Sequence, residues 1–327
     1  MLAPAGAFAE EPKPSSDLFQ VSAYLEPTVH FWEQIFTEYT STQLVIHDLY
    51  RPGIIWNVVD LKTAYEEIPR REVQEITRFA MLDIQTRLRR LHEHPVATDA
   101  LDDHLLAITA SLDDHGIDEP WTRLRIQRGI SDEFQVSLAR SKRWIPDVRR
   151  VLAQERVPVQ LAALPFIESM YNNKAYSSVG AAGVWQLMPN TARQFGLKVS
   201  RKRDDRYEIT HATKAAARLL QSNLKRLGSW PLAITAYNHG AGGVSRGIKQ
   251  VGSREIEHLI SNYQRGSWGF ASKNFYAEFL AALGIAEEHI TIIHPSTAPT
   301  PAQKLAKKIA KKHTKIPARK IAKRHTY

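Results

Sequence analysis

Apolar side chains recur at three- and four-residue steps between Ile68 and Leu91, where Val73, Ile76, Phe79 with Ala80, Ile84, and Leu88 with Leu91 alternate with glutamates and arginines. That spacing predicts an amphipathic helix. Ser131 to Leu152 repeats it through Phe134, Val136, Leu138, Trp144, Val148 and Leu152, with Pro146 placed to begin a second helix. Arg51-Pro52-Gly53 marks a turn, and Ile54 to Val59 is a β-like run too short to assign by periodicity. Residues 18–150 therefore read as a helical region without a chemical motif.

From 155 to 290 the helices carry recognisable ends. Pro158 leads Val159 to Tyr171, and Pro189 leads a short helix that stops at Gly196. Thr210 caps a helix running to Gly228, while Ser229 and Pro231 open another ending at His239-Gly240. Ser253 to Asn262 and Ser272 to Glu288 supply two more. Gly240-Ala241-Gly242-Gly243 follows a helix without a GK[ST] signature, so it reads as a turn rather than a phosphate loop. The expected unit is a compact all-helical domain of about six helices.

The C-terminal end is of another kind. Pro295 to Pro301 forms a stiff linker, and Ile309-Ala-Lys-Lys-His-Thr314 returns as Ile321-Ala-Lys-Arg-His-Thr326, a low-complexity repeat whose like charges predict disorder. The chain carries a net charge of +10, but ten of its 44 basic residues lie between Lys304 and Arg324. The remainder balances 34 basic against 34 acidic residues. A polyanion-binding surface on the body of the protein is thereby disfavoured.

At 327 residues, with 43% apolar and 24% charged side chains, the chain has ample material for a folded core. It contains no apolar run of the roughly 20 residues that a membrane-spanning helix needs. Absence of cysteine excludes disulfides, thiolate metal sites and thiol nucleophiles. Ala7-Phe8-Ala9 ahead of Glu10-Glu11 has the A-x-A form cut by signal peptidase, so residues 1–9 read as the remnant of a signal peptide and the protein as exported. The expected plan is that remnant, a helical N-terminal region over 10–150, a catalytic domain over 151–290, a Pro/Thr-rich linker over 291–303 and a basic tail over 304–327.

The candidate chemistry begins at Glu168. Leu161, Leu164 and Glu168 stand at i, i+3 and i+7, which puts an acid on the stripe that should face the core. Burial and the nearby helix C-terminus would both raise its pKa, and a carboxyl protonated at neutral pH is what a general acid requires. A glutamate that turns outward or pairs with an arginine has the same spacing. Downstream, Gly180 and Gly183 allow close backbone approach, Trp185 offers a ring face and Gln186 an amide, and Tyr237-Asn238-His239 end a helix in polar groups.

Together, Glu168-Ser169, Ser177, Gly180-Ala-Ala-Gly183-Val-Trp-Gln186-Leu-Met188-Pro189 and Ala236-Tyr237-Asn238-His239-Gly240 resemble the ordered motifs of the lytic transglycosylases with a goose-lysozyme-like fold, most of all the membrane-bound lytic murein transglycosylase D group. The likeness covers about Val157 to Leu283. It implies an all-α protein, with a lysozyme-like helical catalytic domain preceded by a helical N-terminal domain, acting in the periplasm or cell envelope. It also implies non-hydrolytic cleavage of the β-1,4 bond between N-acetylmuramic acid and N-acetylglucosamine in peptidoglycan strands, giving 1,6-anhydro ends, with Glu168 as acid and then base and no cofactor. By the same resemblance Ser177 contacts the region of the scissile bond, Gln186, Met188 and Trp185 line sugar subsites, Tyr237 orients Glu168 and Asn238 holds the adjacent loop. Where the family reads Glu-Thr-Arg-x-Tyr, this chain reads Ala271-Ser272-Lys273-Asn274-Phe275-Tyr276, so its tyrosine falls on Phe275 or Tyr276, of which Tyr276 is kept as a candidate.

Two other classes stay open: a peptidoglycan-binding protein with a silent site, and a goose-type muramidase, which would need a second carboxylate to hold water. Asp204, Asp205, Glu208, Glu255, Glu257 and Glu278 occupy no motif that supplies one. H-E-x-x-H is absent and His239 has no histidine at helical spacing, so no metal is expected. The basic tail is suited to anionic envelope polymers and, at second rank, to nucleic acid.

Overall fold

The computed structural model describes residues 18–62, 67–112 and 118–289. The stretches read as a signal remnant, a linker and a basic tail lie outside them. The described residues form twelve α-helices and a three-stranded sheet. The chain is thus mostly helical, as its patterning predicts, with a small sheet added to the N-terminal half.

That sheet is antiparallel in the order β2-β1-β3, with β1 (Gln43–Asp48) between β2 (Ile55–Asp60) and β3 (Leu124–Arg128). The run at Ile54 to Val59 is therefore a strand, and its partners come from stretches that a purely helical reading misses. On one face Ile46 and Trp56 pack with Ile84, Leu88 and Leu91 of α2 (Arg70–Glu93) and Leu105 of α3 (Ala100–Ser111). Toward its other side the His47 ring lies 4.7 Å from Phe31 of α1 (Glu26–Thr37) and 5.5 Å from Phe270 at the start of α12 (Phe270–His289). With both faces covered, Leu44 to Asp48 are all buried. The alternation that usually betrays a strand is accordingly lost.

The helices α4 (Ser131–Ser141) and α5 (Ile145–Gln154) divide ahead of Pro146, as predicted. The segment after Pro158 is broken rather than continuous: a 3₁₀ turn over Val159–Ala163 gives way to α6 (Leu164–Ser169), which stops where Met170 and Tyr171 adopt φ of 50° and 55°. Pro165 cannot donate the backbone bond that one continuous helix would need there. Next come α7 (Pro189–Gln194), α8 (Ile209–Leu227) and α9 (Trp230–His239). Thr210 lies inside the first turn of α8 rather than at its cap, which falls on Glu208.

The glycine-rich stretch after His239 is a correction to the sequence reading. Gly240, with φ of 85°, ends α9, but Ala241–Val251 is the helix α10 rather than a turn. A Cβ on Gly243 would stand 2.3 Å from the His239 ring, so the glycine admits that ring against the helix. A short α11 (Ile256–Asn262) precedes α12, which is buried along most of its length and packs against α1, α6 and α9.

Aromatic rings connect the two halves. Phe36 of α1 stacks on Phe134 of α4 at 4.6 Å, Phe134 meets Phe166 of α6 at 5.4 Å, and Phe166 meets Tyr171 edge-on at 4.7 Å. The helix that carries Glu168 is in this way seated on the N-terminal half. Phe134→Ala is expected to lower stability by about 3–5 kcal/mol, since it empties a fully buried ring site in the middle of this chain of contacts. Urea denaturation followed by circular dichroism measures it; a loss below about 1 kcal/mol would show that the ring contacts are dispensable.

Candidate active site

Glu168 sits in the last turn of α6, and the loop that follows folds back over it. Ser169 donates from Oγ to the Val184 carbonyl at 2.8 Å, and the Gly183 N–H donates to the Ala175 carbonyl at 2.9 Å. Isolated bridges pair Tyr176 with Ala182 and Ala182 with Leu187. Arg206, only 3% exposed, reaches in from below: its Nη1 donates to the carbonyls of Gly180 at 2.6 Å and Leu187 at 2.9 Å, while Nη2 pairs with Asp204 at 2.7 Å. The loop needs its second glycine, because Gly183 has φ of 75° and a Cβ there would stand 2.1 Å from the Arg206 carbonyl oxygen.

Within this frame Glu168 is half-buried and makes no hydrogen bond or ion pair. Loss of water pushes its pKa up to about 8, with the negative charge of Glu278 as a second cause. Glu278, on α12, is itself pushed up to about 8 by burial. Tyr237, on α9, is raised well above the ordinary tyrosine value by burial and then by Glu168. No cation figures in the shift of any of the three. The arrangement holds a protonated carboxyl near neutral pH, with a second acid and a phenol beside it.

The sequence reading set Glu278 aside because it belongs to no motif. Its signal was of another kind: it is the one acid in a run, Asn274 to Ala286, that otherwise supplies core residues. Only the packing of α12 on α6 brings that acid to Glu168.

The other predicted residues separate into groups. Ser177 closes the loop on itself, its Oγ accepting from the Ala181 N–H at 2.9 Å. Gln186, at φ of 44°, donates from Nε2 to the carbonyls of Gly183 at 2.8 Å and Ala175 at 3.3 Å. Tyr237 donates its hydroxyl to the Trp185 carbonyl at 2.7 Å, so the phenol is tied to the loop rather than to Glu168. Met188 is 41% exposed and forms the wall of a groove of about 340 Å³ with Gln186, Tyr237, Thr191 and Asn223. Glu168 does not line that groove, whereas Tyr237, whose phenol feels the Glu168 charge, does.

Three placements differ from the expectation. Trp185 is fully buried and donates its indole N–H to Thr213 at 2.8 Å, so both ring faces are covered by protein and none is open to a sugar. The exposed ring of the loop is Tyr176, at 65%. Asn238 is exposed and makes no hydrogen bond, so it does not hold the neighbouring loop. Tyr276 and Phe275 are both core residues, Tyr276 lying 6.2 Å from Phe279, and burial raises the Tyr276 phenol. Among the described residues no three His, Asp or Glu side chains gather as a metal ion requires.

A partly buried acid thus stands at the end of a short helix, braced by a glycine loop. Residues 150–260 match the family model of the transglycosylase SLT domain. Over 97 residues the chain is 39% identical to the membrane-bound lytic murein transglycosylase D of Escherichia coli, a match that covers 29% of this chain and 22% of that protein. Over 107 residues it is 33% identical to the transglycosylase of Enterobacteria phage PRD1, covering 32% and 38%. The chain thus spans well under half the length of these relatives. Among solved structures, the 70 kDa soluble lytic transglycosylase of Escherichia coli aligns with 46% of this chain and 25% of its own, at 20% identity and a TM-score of 0.36.

Two predictions follow from the geometry. Gly183→Ala forces a positive φ on a residue whose new Cβ meets backbone, and is expected to cost about 2–4 kcal/mol in denaturant unfolding; an unchanged midpoint would refute the close approach. Because Glu168 and Glu278 hold protons more tightly folded than unfolded, their contribution to stability is full below the ordinary glutamate range and lost as pH rises toward about 8. Glu278→Gln should therefore flatten the fall in Tm between pH 5 and pH 8, and a fall as steep as in the parent would contradict this.

Proposed function

We propose that the chain is a peptidoglycan lytic transglycosylase, cleaving the β-1,4 bond between N-acetylmuramic acid and N-acetylglucosamine without water. The observation that carries this reading is Glu168, half-buried without a hydrogen-bond or ion-pair partner so that its pKa is pushed up to about 8, inside a segment that matches the SLT domain. The Escherichia coli relative is named as a lytic murein transglycosylase, which supports the same substrate. In the first step the Glu168 carboxyl gives its proton to the glycosidic oxygen as the bond from C1 breaks, and the positive charge that develops is met by the substrate's own acetamido group. In the second, the Glu168 carboxylate takes the proton of the muramoyl C6 hydroxyl while O6 bonds to C1. The 1,6-anhydro ring closes and Glu168 is again protonated.

In this scheme Tyr237 and Gln186 hold the loop that flanks Glu168, and Met188 forms the wall along which the strand lies. Ser177 keeps the loop turned toward the scissile bond. Tyr276 supports α12 from the core, and Trp185 supports the loop from beneath rather than stacking on sugar. The catalytic unit is residues 151–290, with 10–150 as its buttress. Its substrate places it in the periplasm or cell envelope, where the basic tail is suited to screened attraction to anionic polymers.

Glu278 favours a second reading, in which it holds a water and the products are those of a muramidase. Against that, a carboxyl pushed up to about 8 is mostly protonated at neutral pH and a poor base for water. The products discriminate. Mass spectrometry of fragments released from purified sacculi by the full chain is expected to show muropeptides one water lighter than hydrolytic ones. Free reducing ends would instead establish the muramidase. Glu168→Gln, which keeps the shape but lacks the proton, is expected to lower the rate by a factor of roughly 10² to 10⁴ while strands still bind. Turnover that survives the change would remove Glu168 from the mechanism.

The pH profile carries a further expectation. Activity needs protonated Glu168 for the first step, so kcat/KM should fall as pH rises through about 8. Glu278→Gln removes the like charge and should move this alkaline limb to lower pH, with the products unchanged. A limb that stays in place would mean that Glu278 does not act on Glu168.

A further inference from the structure

Where the sheet meets α12, cations gather almost without acids. Arg123, just ahead of β3, and Arg125, within it, stand two residues apart and so share one side of the strand. The Arg123 guanidinium lies 4.9 Å from the centre of the Tyr50 ring, and the Lys273 ammonium approaches the same ring at 5.9 Å. Lys273 is one turn beyond Phe270 on α12, and the Arg125 guanidinium lies 4.1 Å from the centre of the Phe270 ring. The contacts close a circuit, from Arg123 through Tyr50 to Lys273, back along α12 to Phe270, and through Arg125 to the strand. Tyr50 is 61% exposed, so the circuit opens to solvent.

Its charges do not balance. Asp48 pairs with Arg123 at 2.7 Å, and the same carboxylate oxygen accepts the backbone N–H groups of Tyr50 at 2.8 Å and Arg51 at 2.7 Å. Arg125 and Lys273 have no ion pair and no side-chain hydrogen bond among the described residues. Residues 49–53, 123–128 and 267–277, which build the junction with the end of β1, contain no Asp or Glu. Both cations are half-buried, and loss of water pushes both pKa values down, as expected of charges without a partner. His47, across the ladder from Arg125, is fully buried and its pKa is lowered to about 4 by burial, so it stays neutral and adds no negative charge. The Tyr50 and Phe270 rings offset part of the cost through their faces, but carry no net charge.

We propose that Arg125 and Lys273, with Arg123 and Tyr50 beside them, form a site for a phosphate group, either the free ion or the terminal phosphate of a monoester. Two unneutralised cations match the charge of about −1.5 to −2 that such a group carries at pH 7. A carboxylate or a phosphodiester, with a single charge, would leave one of the two uncompensated. The donors also come from different elements, a guanidinium on β3 and an ammonium on α12. A phosphate presents at least three acceptor oxygens in different directions and can be shared between them, whereas a carboxylate presents two in one plane. None of these residues lines the groove beside Glu168, and the inference does not depend on the reaction proposed there.

Thermal unfolding of the full chain tests the site, because a ligand raises Tm only as far as it prefers the folded protein. Inorganic phosphate at about 10 mM, in place of acetate at equal ionic strength, is expected to raise Tm by about 2–4 °C, as a dissociation constant of about 1 mM implies. Lys273→Gln and Arg125→Gln should each lose most of that shift, and Lys273→Arg should keep most of it. Should one glutamine variant fail to fold, the other carries the comparison. The proposal is overturned if the parent gains no more from phosphate than from acetate, or if the gain survives when either cation is removed. Where the shift is present, vesicles of phosphatidylcholine with and without phosphatidic acid, a lipid whose phosphate is a monoester, identify its source. Sedimentation with the phosphatidic acid vesicles that falls by about threefold or more in Lys273→Gln assigns a membrane-borne monoester. Sedimentation that the variant leaves unchanged assigns the free ion or a soluble monoester.

Discussion

A carboxyl group without a counter-charge, held away from water, is the constraint on which the rest of the structure depends. Left alone, Glu168 would rotate outward or recruit an arginine, because an unpaired carboxylate in a poorly hydrated place is expensive. Three features keep it in place. The helix beneath it is short and ends abruptly in two residues of positive φ, the loop above it is pinned by buried Arg206, and α12 supplies a second acid in place of a base. Arginine is common in this chain, with Arg206 close below the loop, yet its guanidinium is consumed by Asp204 and by two backbone carbonyls. The positive charge is used to shape the site and does not reach its acid.

The N-terminal half bears on the position of that acid. Phe36, Phe134 and Phe166 carry contact from α1 through α4 to α6, while α1 also packs along α12, the helix that bears Glu278. Both acids are therefore held by helices that rest on one support. A displacement of α1 would act on the distance between two like charges, and the energy of such a pair depends steeply on separation when water is excluded. That is a physical reason for a helical buttress ahead of the segment that holds the candidate site.

Strain and close approach collect in the same region. Among the described residues, Met170, Tyr171 and Gln186 account for three of the six non-glycine residues with positive φ, and all three flank Glu168 or its loop. Gly183 and Gly243 each admit a neighbour closer than any Cβ would allow, a backbone carbonyl in the first case and the His239 ring in the second. Each such position costs stability locally and is retained because surrounding contacts over-determine it. The groove that leads away from Tyr237 is built on these accommodations, with Met188 exposed on one wall and α8 as the other.

Much of this was legible in the linear order of residues. Helical spacing located α2, α4 and α5, prolines and glycines marked most helix ends, and Glu168 on an apolar stripe, followed by a loop with two glycines, marked the site. Those signals are local, since each depends on residues within a few turns of one another. The strands β1 and β3 escaped because both faces of β1 are covered, which erases alternation. Trp185 read as a sugar platform because spacing says nothing about which side of a loop a ring occupies; the fold puts it against Thr213, in the core. Glu278 stayed invisible as a partner because 110 residues separate it from Glu168, and only the packing of α12 on α6 makes two ordinary glutamates into one titrating pair. The sequence by itself singled out Glu168 on an apolar stripe and the glycine-bearing loop that follows it. Tertiary structure alone decided what faces that acid, because charge proximity and exclusion of water are properties of packed surfaces rather than of neighbouring residues.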